Sequence, residues 1–366
     1  MFQALEVVLG VALVVYVLND LFQSVVVPRP TPAFYRLQRI IVRPAWRLCR
    51  WLALRARSTD GRERMLGSFA PLAVIVMLLL WLLGLMFGFG FIFFGLRSQL
   101  HPAVSDFPTA LYFAGTSVLT IGFGDIVATS GMARVLALTA GVSGLGTIAL
   151  AISLLFSLYG SFQRREIQIV TLDARAGAPP SGVSLLETIG KYEMREDLPR
   201  LFGEWEKWAA EVLDSHLAYP VLAYFRSSHD NESWVSALGA VLDATTLLLT
   251  TVVDGPRGPA KMMFSMGNHL VEDLGKFFSI SGDHDPGVER YEFDQARQRL
   301  AAVGWTLLGA EESWVAFAKL RAGYATQLNS MANWFAAPPT QWIGDRSFVR
   351  FRLRRHEEVS VRAASR

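Results

Sequence analysis

The chain has 366 residues, 52% hydrophobic and only 18% charged, whereas an ordinary soluble domain carries roughly 25% charged residues. That composition excludes disorder, collagen and low-complexity fibre, and a mean hydropathy of +0.31 places part of the chain in lipid. A single cysteine, Cys49, excludes an intrachain disulfide framework and a cysteine-based zinc site, and the net charge of +3 acquires meaning only from where it sits.

In chain order, three stretches are apolar enough to span a bilayer as helices: residues 4–27, 69–95 and 132–159. The middle one is free of charge and hydrophobic on every face. The first contains Glu6 and the pair Asn19-Asp20. A signal peptide is the rival reading of it, and that reading fails. Basic residues follow the apolar run instead of preceding it, and Val25-Val26-Val27-Pro28 offers no small-residue cleavage site.

Residues 28–66 carry ten arginines and no lysine. The positive-inside rule makes this segment cytoplasmic, puts the N-terminus and the link 96–104 outside, and returns the chain to the cytoplasm after 132–159. Arg36, Arg39, Arg43, Arg47 and Arg50 recur every three or four residues and share one helical face. A voltage-sensing helix is one reading. An interfacial helix on anionic headgroups is preferred, because Pro44 interrupts the pattern and an added span would spoil the topology. The positive charge thus points to membrane lipids, not nucleic acid.

Between the second and third spans, Ser105 or Asp106 can cap a short helix over 105–118 with Pro108 in its first turn. Such a helix is too short to cross a bilayer. It must return through irregular backbone, which survives in lipid only when buried in protein or lining a watery path. The next residues are Thr120-Ile121-Gly122-Phe123-Gly124-Asp125. Replacing a cation's water shell takes carbonyl oxygens turned to one axis, and alternate glycines supply the backbone angles needed. Gly88-Phe89-Gly90, inside the second span, is the same pattern with no such context.

The segment 69–160 resembles the pore module of the potassium channel family, whose filter is commonly TVGYGD. The resemblance implies an all-α membrane protein, a pore-loop channel with a re-entrant pore helix. K+ ions would be held by Thr120, Ile121, Gly122, Phe123 and Gly124, with no organic cofactor. Tyr112 and Phe113 match the family's aromatic pair, and Tyr112 is expected to hydrogen-bond Asp125. Thr116 stands where some members carry glutamate, and Leu119 where threonine is frequent. One hairpin supplies a quarter of a ring, so the expected assembly is a homotetramer. Gly144 falls where the family's inner helix bends, which suggests a gating hinge. Close helix packing explains it equally well.

Past residue 162 the sequence turns charged. Residues 163–184 read as a linker, with 167–172 either prolonging the helix or forming a short strand. Helical spacing marks an all-α cytoplasmic domain over 185–366, with helices near 185–215, 218–227, 232–253, 259–279, 286–303 and 306–335 and a loose basic tail from 346. No strand followed by Gly-x-Gly-x-x-Gly occurs there, so a nucleotide-sensing Rossmann domain is not expected. Asp283-His284-Asp285 reads as a solvated turn. His216, His229 and His269 are unclustered, and the tryptophans read as core. No nucleophile and base can be paired, so no enzyme is expected. The expectation is a potassium-selective, homotetrameric channel of the cell membrane, gated at its inner helix by a helical domain whose ligand the sequence does not name. The alternatives are a weakly selective cation channel and a membrane-anchored interaction or regulatory protein.

Overall fold

In the computed structural model, which describes residues 2–27, 37–56 (Gln38 and Arg39 by backbone alone), 58–229, 231–280, 282 and 287–343, twelve α-helices follow one another, joined by one pair of two-residue strands. The chain divides into two compact units, Met1–Gly160 and Ser161–Arg366.

The first unit holds α1 (Phe2–Val25), α2 (Arg43–Arg55), α3 (Thr59–Gly95), α4 (Phe107–Val118) and the first part of α5 (Gly131–Ala176). Of these α1, α3 and α5 are long and apolar enough to cross a membrane. Lipid tails give apolar helices no reason to associate, so close approach through small residues must do so. A Cβ at Gly10 would lie 2.5 Å from the Gly88 carbonyl oxygen, and one at Gly95 would lie 2.8 Å from the Gln3 carbonyl oxygen. The first span therefore packs on the second. Its buried Asp20 accepts from the Trp81 indole at 2.8 Å and from the Leu37 amide at 3.2 Å, which satisfies a polar group lipid would not. At the opposite end of α1, Arg97 pairs with Glu6 at 3.0 Å.

A five-residue π-helical turn, Gln38–Val42, leads into α2, whose Pro44 sits harmlessly in the first turn. Trp46 is buried edge-on against Phe69 at 5.0 Å and fixes α2 to α3. The rest of that helix leaves Leu48, Trp51, Leu52 and Leu54 exposed beside Arg47 and Arg55. Arg43, Arg47 and Arg50 thus lie on one helix, while Arg36 lies outside the described residues and Arg39 is described by backbone only.

The second unit adds α6 (Gly182–Lys191), α7 (Leu198–Ala218), α8 (Trp234–Thr250), α9 (Arg257–Phe278), α10 (Arg290–Ala302), α11 (Ala310–Ala322) and α12 (Ala325–Trp334). Every residue of α8 but Leu249 is buried, as its all-round apolar composition requires, so it forms the axis of this unit. Its Asp243 is met by Arg321 at 3.1 Å and by the Tyr324 hydroxyl at 2.5 Å.

Several expected boundaries are corrected. The linker expected over 163–184 is helix as far as Ala176, because Ile169 and Leu172 have buried positions to fill; the chain turns only at Gly177, with φ +79°. The helix expected over 185–215 is two, broken where Glu193 takes φ +58°. The one near 218–227 is a short 3-10 turn, Pro220–Tyr224. The one over 306–335 begins only at Ala310, after 306–308 bond back to 251–253, and breaks again at Gly323-Tyr324. The Asp283-His284-Asp285 turn and the basic tail from 346 lie outside the described residues.

Candidate functional site

The link from α3 to α4 is braced before it enters the site. Strands β1 (Leu100–His101) and β2 (Val127–Ala128) pair antiparallel, and the Gln99 carbonyl takes the Thr129 amide at 2.9 Å. The Ser130 hydroxyl bonds the Gln99 side chain as well. Asp106 caps α4: its carboxylate accepts from the Thr109 amide at 2.9 Å and the Thr109 hydroxyl at 2.8 Å, with Pro108 in the first turn. Apolar rings hold the helix against α3, with Phe107 4.7 Å from Phe91 and Phe113 4.8 Å from Phe93 between centroids.

Past Val118 the backbone leaves the helix. The Thr116 carbonyl accepts from the Ile121 amide at 2.9 Å and the Gly122 amide at 3.2 Å, and the Ser117 carbonyl accepts from the Thr120 amide at 3.1 Å. Thr120, Gly122 and Gly124 take φ of +56°, +61° and +82°, while Ile121 and Phe123 between them do not. A backbone that alternates hand in this way gathers successive carbonyls on one side and successive amides on the other. Within one chain space does not demand the glycines, since a Cβ at Gly122 or Gly124 would meet nothing within 4 Å. The angle is the reason.

Behind this segment, Tyr112 stacks on Phe123 at 6.3 Å with planes 4° apart, and Asp125 lies near its hydroxyl. The structure therefore brings Tyr112, Asp125 and residues 120–124 into one hairpin. Thr116 gives its hydroxyl to the Phe113 carbonyl at 2.9 Å, and so turns to its own helix. Ile121 and Phe123 are 51% and 68% exposed in the single chain, so one chain leaves the hairpin half covered.

Gly144 has a different reason to be glycine. It sits in the unbroken α5, where a Cβ would overlap the Val118 carbonyl oxygen; at Gly141 the Ser117 oxygen would lie 3.5 Å away. The end of α4 thus rests on these glycines, and packing accounts for Gly144. The brace through Gln99, Thr129 and Ser130 escaped the sequence reading, because polar residues 30 apart carry no periodic signal.

An ion-channel family model matches residues 76–160, which run from α3 through the hairpin into α5. Over 206 residues the chain is 22% identical to an uncharacterized membrane protein, YdjJ, of Bacillus subtilis (strain 168). That similarity covers 55% of this chain and 59% of the relative, so the chain spans less than two thirds of the relative's length. No solved structure matches the chain.

Proposed function

We propose that this protein, whose residues 76–160 form an ion-channel pore domain, conducts potassium passively through a ring of four copies. The observation that carries the reading is the alternation of positive φ at Thr120, Gly122 and Gly124, directly after a short capped helix and between two membrane-spanning helices. In this reading the carbonyls of 120–124 replace the water shell of a dehydrated potassium ion. Gly122 and Gly124 supply the backbone hand, and the Tyr112 ring stacked on Phe123, with Asp125 beside it, holds the outer mouth. The C-terminal end of α4 bears partial negative charge and favours a cation near it.

Four copies are needed because one hairpin provides one wall. The apolar side chains that a single chain leaves bare along α5, among them Val135, Leu138, Val142 and Leu145, fit either a neighbouring copy or lipid. The arginine-rich stretch supports a cytoplasmic side for α2 and for the helical unit in this reading, with α2 lying on anionic headgroups. The helical unit sets how often the pore opens.

The test is a flux assay on purified protein in vesicles, with the mass of the assembly measured on the same sample. Potassium-driven flux from a particle of four chains, absent when sodium replaces potassium, supports the reading. A monomer that passes no ion favours a membrane-anchored interaction protein, and equal flux of both ions favours a weakly selective pore.

A further inference from the structure

α5 does not stop where its apolar stretch ends. It continues as one helix through Arg164, Arg165 and Glu166 to Ala176. Charged residues at the end of a span ordinarily face water, yet Arg165 is 2% exposed and Glu166 is 8% exposed. A buried guanidinium is costly unless each of its donors is met.

Here all five are met. Nε and one terminal nitrogen of Arg165 donate to Oε1 of Glu166 at 3.1 and 3.0 Å. That same terminal nitrogen also donates to the Phe225 carbonyl at 2.8 Å, and the other donates to the Leu222 carbonyl at 2.9 Å and to Nε2 of His216 at 3.2 Å. Since arginine keeps its charge, His216 must present a bare lone pair at Nε2. The Arg165 carbonyl in turn accepts from the Trp208 indole at 3.1 Å, and the Phe162 and Phe225 rings lie 5.5 Å apart. One arginine of α5 therefore joins three other parts of the helical unit: α7, the turn Pro220–Tyr224 and the residue that follows it.

The Phe225 carbonyl lies outside regular helix, where an oxygen drawn out of water needs a partner from elsewhere, and the Leu222 carbonyl takes Arg165 in addition to the Phe225 amide at 3.1 Å. Only a long, planar, many-pronged cation could serve them both together with a histidine and a carboxylate. An ordinary core contact needs none of this. The arrangement suits a site that must hold one helix in one rotational and axial setting.

We propose that Arg165 is the positioning residue through which the helical unit sets the inner helix, so that the Arg165 cage transmits the state of that unit to the pore. The proposal rests on the channel reading above, but its physical core, a joint between α5 and the 219–227 segment, does not depend on which ion passes. A lysine keeps the charge yet has three donors and no fork, and so fails part of the cage. Arg165→Met with Glu166→Gln removes both buried charges together and avoids stranding either one.

Two readouts on the full-length protein in lipid test it: single-channel open probability, and amide hydrogen exchange resolved by segment. In the double variant, exchange should speed up in 164–176 and 219–227 together, with α8 and α9 as protected as in the wild type. Open probability should change on the order of tenfold with the potassium-to-sodium permeability ratio unchanged. Arg165→Lys should give a smaller change in the same direction. An unchanged open probability alongside faster exchange in those two segments overturns the proposal. So does exchange that rises equally in α8 and α9 in both variants, which would make Arg165 a general core residue. A wild type that passes sodium as readily as potassium contradicts the selectivity reading and leaves both readouts of the joint in force.

Discussion

The segments 119–125 and 219–227 are both irregular backbone that follows a helix, and they are held in opposite ways. At 219–227 a permanent cation from α5 occupies the Leu222 and Phe225 carbonyls, so that part of the chain is pinned. At 120–124 the backbone is held from behind, by the Thr116 and Ser117 carbonyls and the Tyr112 side. In the proposed reading its own carbonyls stay available to an ion that comes and goes. A cation fixed by covalent attachment makes a joint; the same acceptor chemistry offered to a mobile cation makes a path.

The largest effect expected from breaking this comparison lies where the hairpin rests on α5. Gly144→Leu forces a side chain into the Val118 carbonyl, so the pore unit should fail to assemble, with loss of the oligomer peak in size-exclusion chromatography. A normal oligomer would remove packing as the reason for this glycine.

Gly122→Ala should do the reverse. Within one chain no neighbour lies within 4 Å of the added Cβ, so the chain should still fold and the oligomer peak should remain. The positive φ costs about 1–2 kcal/mol in each chain, which turns the backbone out of its alternating hand and abolishes conduction. Wild-type selective current in this variant would contradict the role given to 120–124.

His216 sharpens the joint. Burial, then the neighbouring Arg165 guanidinium, hold its pKa well below the ordinary 6.5. The folded state therefore refuses a proton that the unfolded state accepts. Its stabilising contribution is full above 6.5 and is lost as pH falls below it, by up to about 1.4 kcal/mol per pH unit. Burial pushes the Glu232 carboxyl up, with Asp173 and Glu166 adding to the rise against His229, so its contribution runs the other way. Glu232 cancels when wild type is compared with His216→Gln. Between about pH 7.5 and about pH 5.5 the wild type should lose more thermal stability than the variant. Equal losses would mean that the histidine is not held as a neutral acceptor.

The smallest effect concerns α2. Replacing Arg43, Arg47 and Arg50 with Gln should weaken binding to anionic vesicles by about 1 kcal/mol per charge at low salt, and less as salt rises. Voltage dependence should not move. A large shift of the conductance–voltage curve would favour a voltage-sensing role instead.

The spans and the hairpin were legible because lipid imposes length and apolarity on one, and because positive φ imposes glycine on the other. What stayed hidden depends on distant partners. Arg164-Arg165-Glu166 reads as a solvated end of a span, since the acceptors of Arg165 other than Glu166 lie 51 to 60 residues further on. The break at Glu193 carries neither glycine nor proline. Gly88-Phe89-Gly90 has no filter context, and its first glycine proves to be one of the places where α1 touches α3.

The central claim is that 120–124 form a potassium-selective filter. Its most direct test is the reversal potential of single channels of the purified protein in a planar bilayer, with potassium on one side and sodium on the other. The account predicts current that reverses far toward the potassium equilibrium potential. A reversal near zero, with both ions carrying current equally, would contradict it.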